Sequence, residues 1–215
     1  MSAPRIGIMG GMFDPVHKGH LQLAQAALTY CRLDLVKLIP CGTPVHRDRS
    51  IATAAQRVAM LRLACGDDAR LQVDTREVDS PAPSYTYDTA AALRSENPEA
   101  ALFLVLGLDV FLAFDTWHRW QDLLGLVHLL VAVRPGYTYA SCKLARAFHQ
   151  EVGARIATTA EAATKYSAGR ILMAALDLPD ISSTQVRRAI RVGDDASALL
   201  PPVVAGYIAT NQLYR

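Results

Sequence analysis

The feature that most constrains this chain is a glycine-containing loop between an apolar run and a helical pattern. Residues 6–9 form an apolar run typical of a buried strand, and apolar residues recur at helical spacing over 21–28, so a helix is expected to begin near His20. Because glycine has no Cβ and a helix start offers unpaired N–H groups, such a loop suits close approach to a phosphate. His17 and His20 lie at the same mouth, where two imidazoles can face one anion.

The loop does not match the two best-known phosphate-binding loops. The dinucleotide fingerprint requires the spacing G-x-G-x-x-G, which Gly7, Gly10, Gly11 and Gly19 do not have. The P-loop requires Gly-Lys followed by Ser or Thr, whereas Lys18 precedes Gly19 here. A plain glycine turn with two solvated histidines is the alternative interpretation of the same residues.

Charge and composition bound the possible partners. The chain has 215 residues and a formal net charge of +2, so extended nucleic-acid binding is not expected, although a local basic site for a small polyanion is. Four cysteines are far apart and form no C-x-x-C, which predicts buried small residues or free thiols in a reducing compartment: Cys31, Cys41, Cys65 and Cys142. No signal peptide or membrane-spanning apolar run is recognised, so we expect a cytoplasmic protein without membrane contact.

Strand and helix patterns alternate along the chain. Strands are predicted at 6–9, 35–40, 71–73, 101–106, 126–133 and 171–176, and further helices at 54–65, 87–97, 115–124, 141–151, 182–192 and 198–213. Residues 78–86 are expected to be irregular, and 154–168 give no clear pattern. This alternation predicts an α/β fold, a doubly wound Rossmann-like parallel sheet flanked by helices, in one domain over 1–215 with a small helical part at about 182–215.

A second informative stretch covers residues 180–188. Ser182 and Gln185 have the spacing of a capping box, so a helix is expected to start here. Arg187 follows one turn later, near the positive end of the helix dipole, where a cation gains nothing unless an anion is bound. A capped surface helix with solvated arginines is the alternative for this stretch alone.

Together, the two stretches carry a family resemblance. The patterns G-x-F-D-P-x-H-x-G-H and I-S-S-T-x-x-R resemble the two signatures of the nucleotidyltransferase superfamily. The resemblance extends over nearly the whole chain to the bacterial nicotinate-nucleotide adenylyltransferases. Its further matches are Gln56-Arg57 with Met60-Leu61, the P-S-Y-T element at 83–86, G-x-D at 107–109, F-x-x-W-H at 114–118, R-P-G at 134–136 and L-P-x-x-V-x-x-Y-I at 200–208. The loop at 43–47 resembles P-P-H-[KR], although Thr43 and Val45 depart from it.

The resemblance implies transfer of an adenylyl group from ATP to nicotinate mononucleotide, giving nicotinate adenine dinucleotide and pyrophosphate in NAD biosynthesis. It implies His17, His20 and Arg187 as catalytic residues. The implied ATP site comprises Gly10, Gly11, Met12, Phe13, Gly19, Gly107, Asp109, Arg134, Ile181, Ser182, Ser183 and Thr184. The implied mononucleotide site comprises His46, Arg47, Ser84, Tyr85, Thr86, Trp117 and His118, and Lys18 is a further candidate cation. Mg²⁺ is expected to arrive on the ATP phosphates, with no metal site formed by the protein alone.

Each shorter match also has a structural interpretation. Trp117 could be a core aromatic, Asp109 or the 84–86 element a helix cap, Arg134 half of a surface ion pair, and 46–47 a solvated turn. Among functional alternatives, the same chemistry could prefer nicotinamide mononucleotide, or the acceptor could be phosphopantetheine or flavin mononucleotide. A nucleotide-sensing module and an HxxH metal protein, with Asp14 as third ligand, are the other classes considered.

Overall fold

The computed structural model describes residues 3–42, 51–133 and 146–215. Six strands form one sheet in the order β3-β2-β1-β4-β5-β6, and the described pairings from β1 to β6 through β4 and β5 are parallel. The strands are β1 Arg5–Gly11, β2 Leu35–Pro40, β3 Leu71–Val73, β4 Ala101–Gly107, β5 His128–Val133 and β6 Ile171–Ala175. The predicted doubly wound parallel sheet flanked by helices is confirmed.

Helices connect these strands. They are α1 Lys18–Tyr30, α2 Ala54–Cys65, α3 Arg76–Asp79, α4 Thr86–Glu96, α5 Leu108–Phe111, α6 Trp120–Leu123, α7 Arg146–Arg155, α8 Ala160–Ala163, α9 Ser183–Val192 and α10 Pro202–Thr210, with a 3₁₀ turn at Phe114–Thr116. Among the described residues, no helix is long and apolar enough to cross a membrane.

Contacts divide the chain into two compact units. The first, here called the sheet unit, comprises Met1–Met9, Ala24–Lys37 and Tyr85–Asp177. The second, here called the signature unit, comprises Gly10–Leu23, Leu38–Ser84 and Leu178–Arg215. The extent of a single domain over 1–215 stays a prediction.

The core of the sheet unit is built on two wholly apolar strands. All six residues of β5 are buried, and so are the first six of β4, as expected for strands covered by helices on both faces. Register places Ile8 beside Leu104 and Val105 beside Leu130. Rings from 111–148 pack next to this core with centroids 5.2–6.3 Å apart: Phe111, Phe114, Trp120 and Phe148.

The elements predicted between β4 and β5 differ from the structure. The expected helix over 115–124 is interrupted, because Trp117 is extended and Arg119 has a left-handed φ of 54°. The guanidinium of Arg119 lies 3.8 Å from the centre of the Tyr87 ring, and its Nε donates to Asp122 at 2.7 Å, which holds this conformation. A short α5 directly after β4 was also not predicted.

Other differences lie at element ends. The stretch 78–86, expected to be irregular, begins with the last two residues of α3, where the Thr75 hydroxyl donates to Asp79 at 2.6 Å. The fifth strand begins at His128 rather than 126, since the preceding residues form a turn on Leu123. The last helix starts at Pro202 rather than 198, because proline suits the first helical position and not the interior. Residues 141–145 of the helix predicted over 141–151 lie outside the described residues.

Candidate active site

The segment 10–20 joins the end of β1 to the first turn of α1 and is here called the signature loop. It is held through its carbonyl groups. Four of its backbone oxygens accept hydrogen bonds of 2.8–2.9 Å from other segments of the signature unit: Gly11 from the Cys41 N–H, Met12 from Arg57 Nη1, Asp14 from Arg187 Nη1 and Pro15 from the Ser183 hydroxyl. Carbonyl and N–H groups of a trans peptide point in opposite directions. The N–H groups of Met12, Phe13 and Val16 directly follow the Gly11, Met12 and Pro15 carbonyls. They therefore point away from the anchoring donors.

This arrangement suits an anion. The N–H groups of Met12, Phe13 and Val16 point away from the anchoring donors, and α1 begins just beyond them at Lys18. An added Cβ at Gly10 would meet no atom of the described residues within 4 Å. Oriented N–H groups beside a helix start are the elements from which proteins build phosphate sites.

The two histidines of the loop are stacked on each other. Their ring centroids are 3.7 Å apart with an interplanar angle of 27°, and the Phe13 ring meets His20 edge-on at 5.0 Å. Gly19 lies against His17: an added Cβ there would come within 3.1 Å of His17 Nδ1. A larger residue at position 19 would therefore require the His17 ring to move by a few tenths of an ångström.

Burial makes both imidazoles neutral near pH 7. It lowers the pKa of His17 to about 4, and burial together with the charge of His17 lowers the pKa of His20 to about 3. The backbone N–H of His17 donates to His20 Nδ1 at 3.2 Å, so the neutral ring of His20 carries its proton on Nε2. His20 can therefore donate a hydrogen bond from Nε2 without being a cation.

Helix α9 brings the second predicted stretch to the same loop. Ser182 caps the helix, with the predicted capping box formed with Gln185. The Ser183 hydroxyl bonds Pro15, and Arg187 bonds the Asp14 carbonyl and, from Nη2, the Thr184 hydroxyl at 3.2 Å. Two segments 168 residues apart are thus joined, as the paired signatures predicted.

The structure gives two of the predicted cations hydrogen-bond partners within this unit. From the sequence, Arg187 was explained by a bound anion alone. In the structure its Nη1 also donates to the Asp14 carbonyl and so anchors the loop. A guanidinium has five N–H donors, so others can still reach an anion. Lys18, predicted as an extra cation, donates from Nζ to the Ser197 carbonyl at 3.1 Å.

Asp14 and Arg57 were not recognised as site residues. The Asp14 carboxylate is 4% exposed and accepts the backbone N–H groups of Ile51 and Ala52 at 2.8 and 3.2 Å, which argues against a role as metal ligand. Arg57 is 1% exposed and bonds the Met12 carbonyl. The family match at Gln56-Arg57 gave this arginine no role, although Thr53 and Gln56 have the capping-box spacing that starts its helix. Among described residues, no three His, Cys, Asp or Glu are grouped to hold a metal ion.

Two of the predicted adenosine residues, Gly107 and Asp109, lie at the end of β4 and in α5. Gly107 precedes α5, and an added Cβ there would lie 2.6 Å from an oxygen of the Asp109 carboxylate. Asp109 is exposed and lies in the first turn of α5, which has no side-chain cap. Its carboxylate is therefore not used as the helix cap that the alternative interpretation required.

The predicted mononucleotide residues are partly brought together. The rings of Tyr85 and His118 lie 4.4 Å apart, and Thr86 is the first residue of α4, where N–H groups have no helical partner. Trp117 is half-buried and packs on Phe114 at 5.3 Å. The remaining predicted residues Ser84, Ile181, Ser182 and Thr184 are described, whereas His46, Arg47 and Arg134 lie outside the described residues.

Comparisons with known proteins agree with the geometry. A family model described as cytidylyltransferase-like matches residues 8–189. A protein of Laribacter hongkongensis, named probable nicotinate-nucleotide adenylyltransferase, is 47% identical over 98% of this chain and 94% of its own length. One of Dechloromonas aromatica with the same name is 40% identical over 100% and 99% of the two chains.

Solved structures show the same fold. The nicotinic acid mononucleotide adenylyltransferase of Plasmodium falciparum, solved with NaAD and with APC, has TM-scores of 0.72 and 0.71 to this chain at 15% identity. In both cases the match covers 98% of this chain and 97% of the other.

Proposed function

This chain belongs to the nicotinate-nucleotide adenylyltransferases within the cytidylyltransferase-like family, and we propose that it joins ATP to nicotinate mononucleotide, releasing pyrophosphate. The observation that carries this proposal is the attachment of Arg187 and Ser183 to the loop that bears His17 and His20. Two polar clusters from distant segments meet there beside oriented N–H groups, as a triphosphate site requires.

The reaction needs placement more than proton transfer. A 5′-phosphate oxygen of the mononucleotide forms a bond to the α-phosphorus of ATP, while the bond from that phosphorus to the pyrophosphate breaks. The attacking phosphate is already ionised near pH 7, so no general base is needed. Holding two polyanions in line and stabilising charge on the leaving group then supplies the rate enhancement.

The loop residues have distinct roles in this proposal. His17 and His20 donate hydrogen bonds to the α- and β-phosphates as neutral imidazoles, in keeping with their lowered pKa values. Remaining N–H groups of Arg187 and the start of α9 hold the β- and γ-phosphates. Neutral donors placed in advance favour the developing charge without first having to gain a proton.

The predicted adenosine and mononucleotide residues are proposed to hold the nucleoside parts. Gly107, Asp109 and Arg134 frame the adenosine, and Trp117 stacks on the pyridine ring. N–H groups near Thr86 and His118 receive the nicotinate carboxylate, with Ser84 and Tyr85 beside them. His46 and Arg47 stay predictions for the mononucleotide phosphate.

Magnesium belongs to the substrate in this proposal. Enzymes of this family generally use Mg²⁺ with ATP, and the ion binds phosphate oxygens readily while keeping several waters. The only role assigned to it is neutralisation of the leaving pyrophosphate.

A location in the cytoplasm stays a prediction.

The test is pyrophosphate release from MgATP with a panel of acceptors. We expect release with nicotinate mononucleotide, slower release with the amide, and none with phosphopantetheine or flavin mononucleotide. Arg187→Gln should reduce kcat on the order of 10²-fold, the scale for one lost preorganised donor, while the exposed neighbour Arg188→Gln serves as the matched control.

Each contrary result has a meaning. Faster release with the amide would reassign the acceptor. ATP binding without release for any acceptor would indicate a nucleotide-sensing module and refute the proposed reaction. Equal losses in the two arginine variants would remove Arg187 from the phosphate site.

A further inference from the structure

Beyond the end of α10, one tyrosine is held in an unusual position. Tyr214 is 4% exposed, and its φ is 67°, a left-handed value that costs a non-glycine residue about 1 kcal/mol or more. Gln212 is left-handed as well, with a φ of 52°. Such a backbone persists only where the surroundings fix it, so the contacts of the buried Tyr214 side chain must hold it in place.

The Tyr214 hydroxyl contacts the carboxylate of the signature loop. It donates to Asp14 Oδ1 at 2.6 Å, and both groups are buried. Burial and the Asp14 carboxylate raise the pKa of Tyr214, so the phenol keeps its proton and is a donor throughout the physiological range. The charges of Arg57 and Arg187 oppose this rise and do not reverse it.

Asp14 is therefore tied from several sides at once. Its carboxylate accepts from Tyr214 and from the N–H groups of Ile51 and Ala52, which precede α2. Its carbonyl accepts from Arg187 on α9. Three segments of the signature unit thus converge on one residue that lies three positions before His17 along the loop.

We propose that Tyr214 is a positioning residue for adenylyl transfer, acting through Asp14 to fix the loop that carries His17 and His20. This inference rests on the proposed function for its kinetic readout. Tyr214 itself does not touch the phosphates. It supplies the one side-chain hydroxyl bond to the Asp14 carboxylate among the described residues.

The Tyr214→Phe variant tests this, because it removes the hydroxyl and keeps the ring that fills the buried site. We expect kcat to fall by about tenfold or more, since small misplacements of reacting groups have effects on that scale, with a much smaller change in KM for ATP. The matched control is Tyr207→Phe on α10, which should leave kcat and KM unchanged.

A double-mutant cycle tests the route through Asp14. If Tyr214 acts through this carboxylate, the pair Asp14→Ala and Tyr214→Phe should lose no more kcat than Asp14→Ala alone. Additive losses would show that Tyr214 acts elsewhere and would overturn the proposal. So would unchanged kcat in a folded Tyr214→Phe protein, or a lowered Tm with kcat unchanged.

Nuclear magnetic resonance gives a readout that does not depend on activity. In Tyr214→Phe, the imidazole ¹H–¹⁵N signals of His17 and His20 should shift, whereas in Tyr207→Phe they should not. Unshifted imidazole signals would refute positioning. If the wild-type protein released no pyrophosphate with any acceptor, the proposed reaction would fail, and these signals would still decide the role of Tyr214.

Discussion

The hydrogen bond from His17 to His20 leads to a test that separates the two ring nitrogens. His20 Nδ1 accepts from the backbone at 3.2 Å, which leaves Nε2–H as the group that can reach a phosphate. In His20→Asn, the amide oxygen can replace Nδ1 as acceptor, but no donor remains at the position of Nε2. In His20→Gln, the amide nitrogen can instead replace Nε2 as donor.

The expected magnitudes follow from these losses. Removing one preorganised donor costs about 10²–10³ in turnover, equivalent to about 2.7–4 kcal/mol, so His20→Asn should fall in this range. His20→Gln keeps a donor in a less constrained position, and we expect a loss of only about tenfold. Both proteins should remain folded, which their far-ultraviolet circular dichroism would establish.

The pH profile of kcat/KM adds a second criterion, since it reports ionisations of the free enzyme. Burial lowers the pKa of His20 to about 3, so the ring is neutral from pH 8 down past pH 5. If its imidazolium were the active form, kcat/KM would rise as the pH decreased over this range. We expect no such rise, and steady-state pyrophosphate release would measure it.

Either of two results would refute the proposed role of the Nε2 donor. Wild-type turnover in folded His20→Asn would show that the Nε2 donor is not used. A loss in His20→Gln much larger than that in His20→Asn would show that the acceptor at Nδ1, not the donor at Nε2, is what matters.

Two further predictions concern the sheet unit. Trp117→Ala should raise KM for the mononucleotide by about tenfold, the scale of one lost ring stack, with little change for ATP. Trp120→Ala, which removes a ring of the aromatic cluster, should lower Tm instead, and equal KM changes for both substrates would count against stacking by Trp117. Burial lowers the pKa of His128 to about 4, so the unfolded chain binds more protons than the native one between pH 6.5 and 4. The free energy of unfolding therefore falls as the pH decreases through this window, by about 3 kcal/mol for this group. His128→Asn keeps an acceptor for the Arg170 N–H, and in urea unfolding it should lose less stability than wild type between pH 7 and 4.5; identical losses would refute this.

The sequence was most informative where structure depends on local pattern. Helix α2 and strands β2 and β3 begin and end where predicted, because periodicity and caps act within a few residues. The break at Arg119 was missed, since it depends on the Tyr87 ring, 32 positions earlier in the chain. A left-handed arginine has no local signature that would have indicated it.

The candidate site shows the same division. Its two signatures were recognised as short patterns, and the structure joins them through Ser183 and Arg187. Asp14, weighed only as a metal ligand, is instead a buried acceptor, and Tyr214 was missed because its partner is 200 positions away. Neutral histidines were also not predicted, since their pKa values depend on burial that a sequence does not display.

Because its carbonyl groups are held by donors elsewhere in the chain, this motif cannot be transferred to another protein as a short segment alone. An eleven-residue segment grafted into a foreign scaffold would arrive without Cys41, Arg57, Ser183 and Arg187, the residues that hold its backbone oxygens. Its peptide planes would then be free to turn, and the transplanted histidines would lose their common orientation. An engineer wishing to transfer this chemistry would have to move the surrounding donors with it.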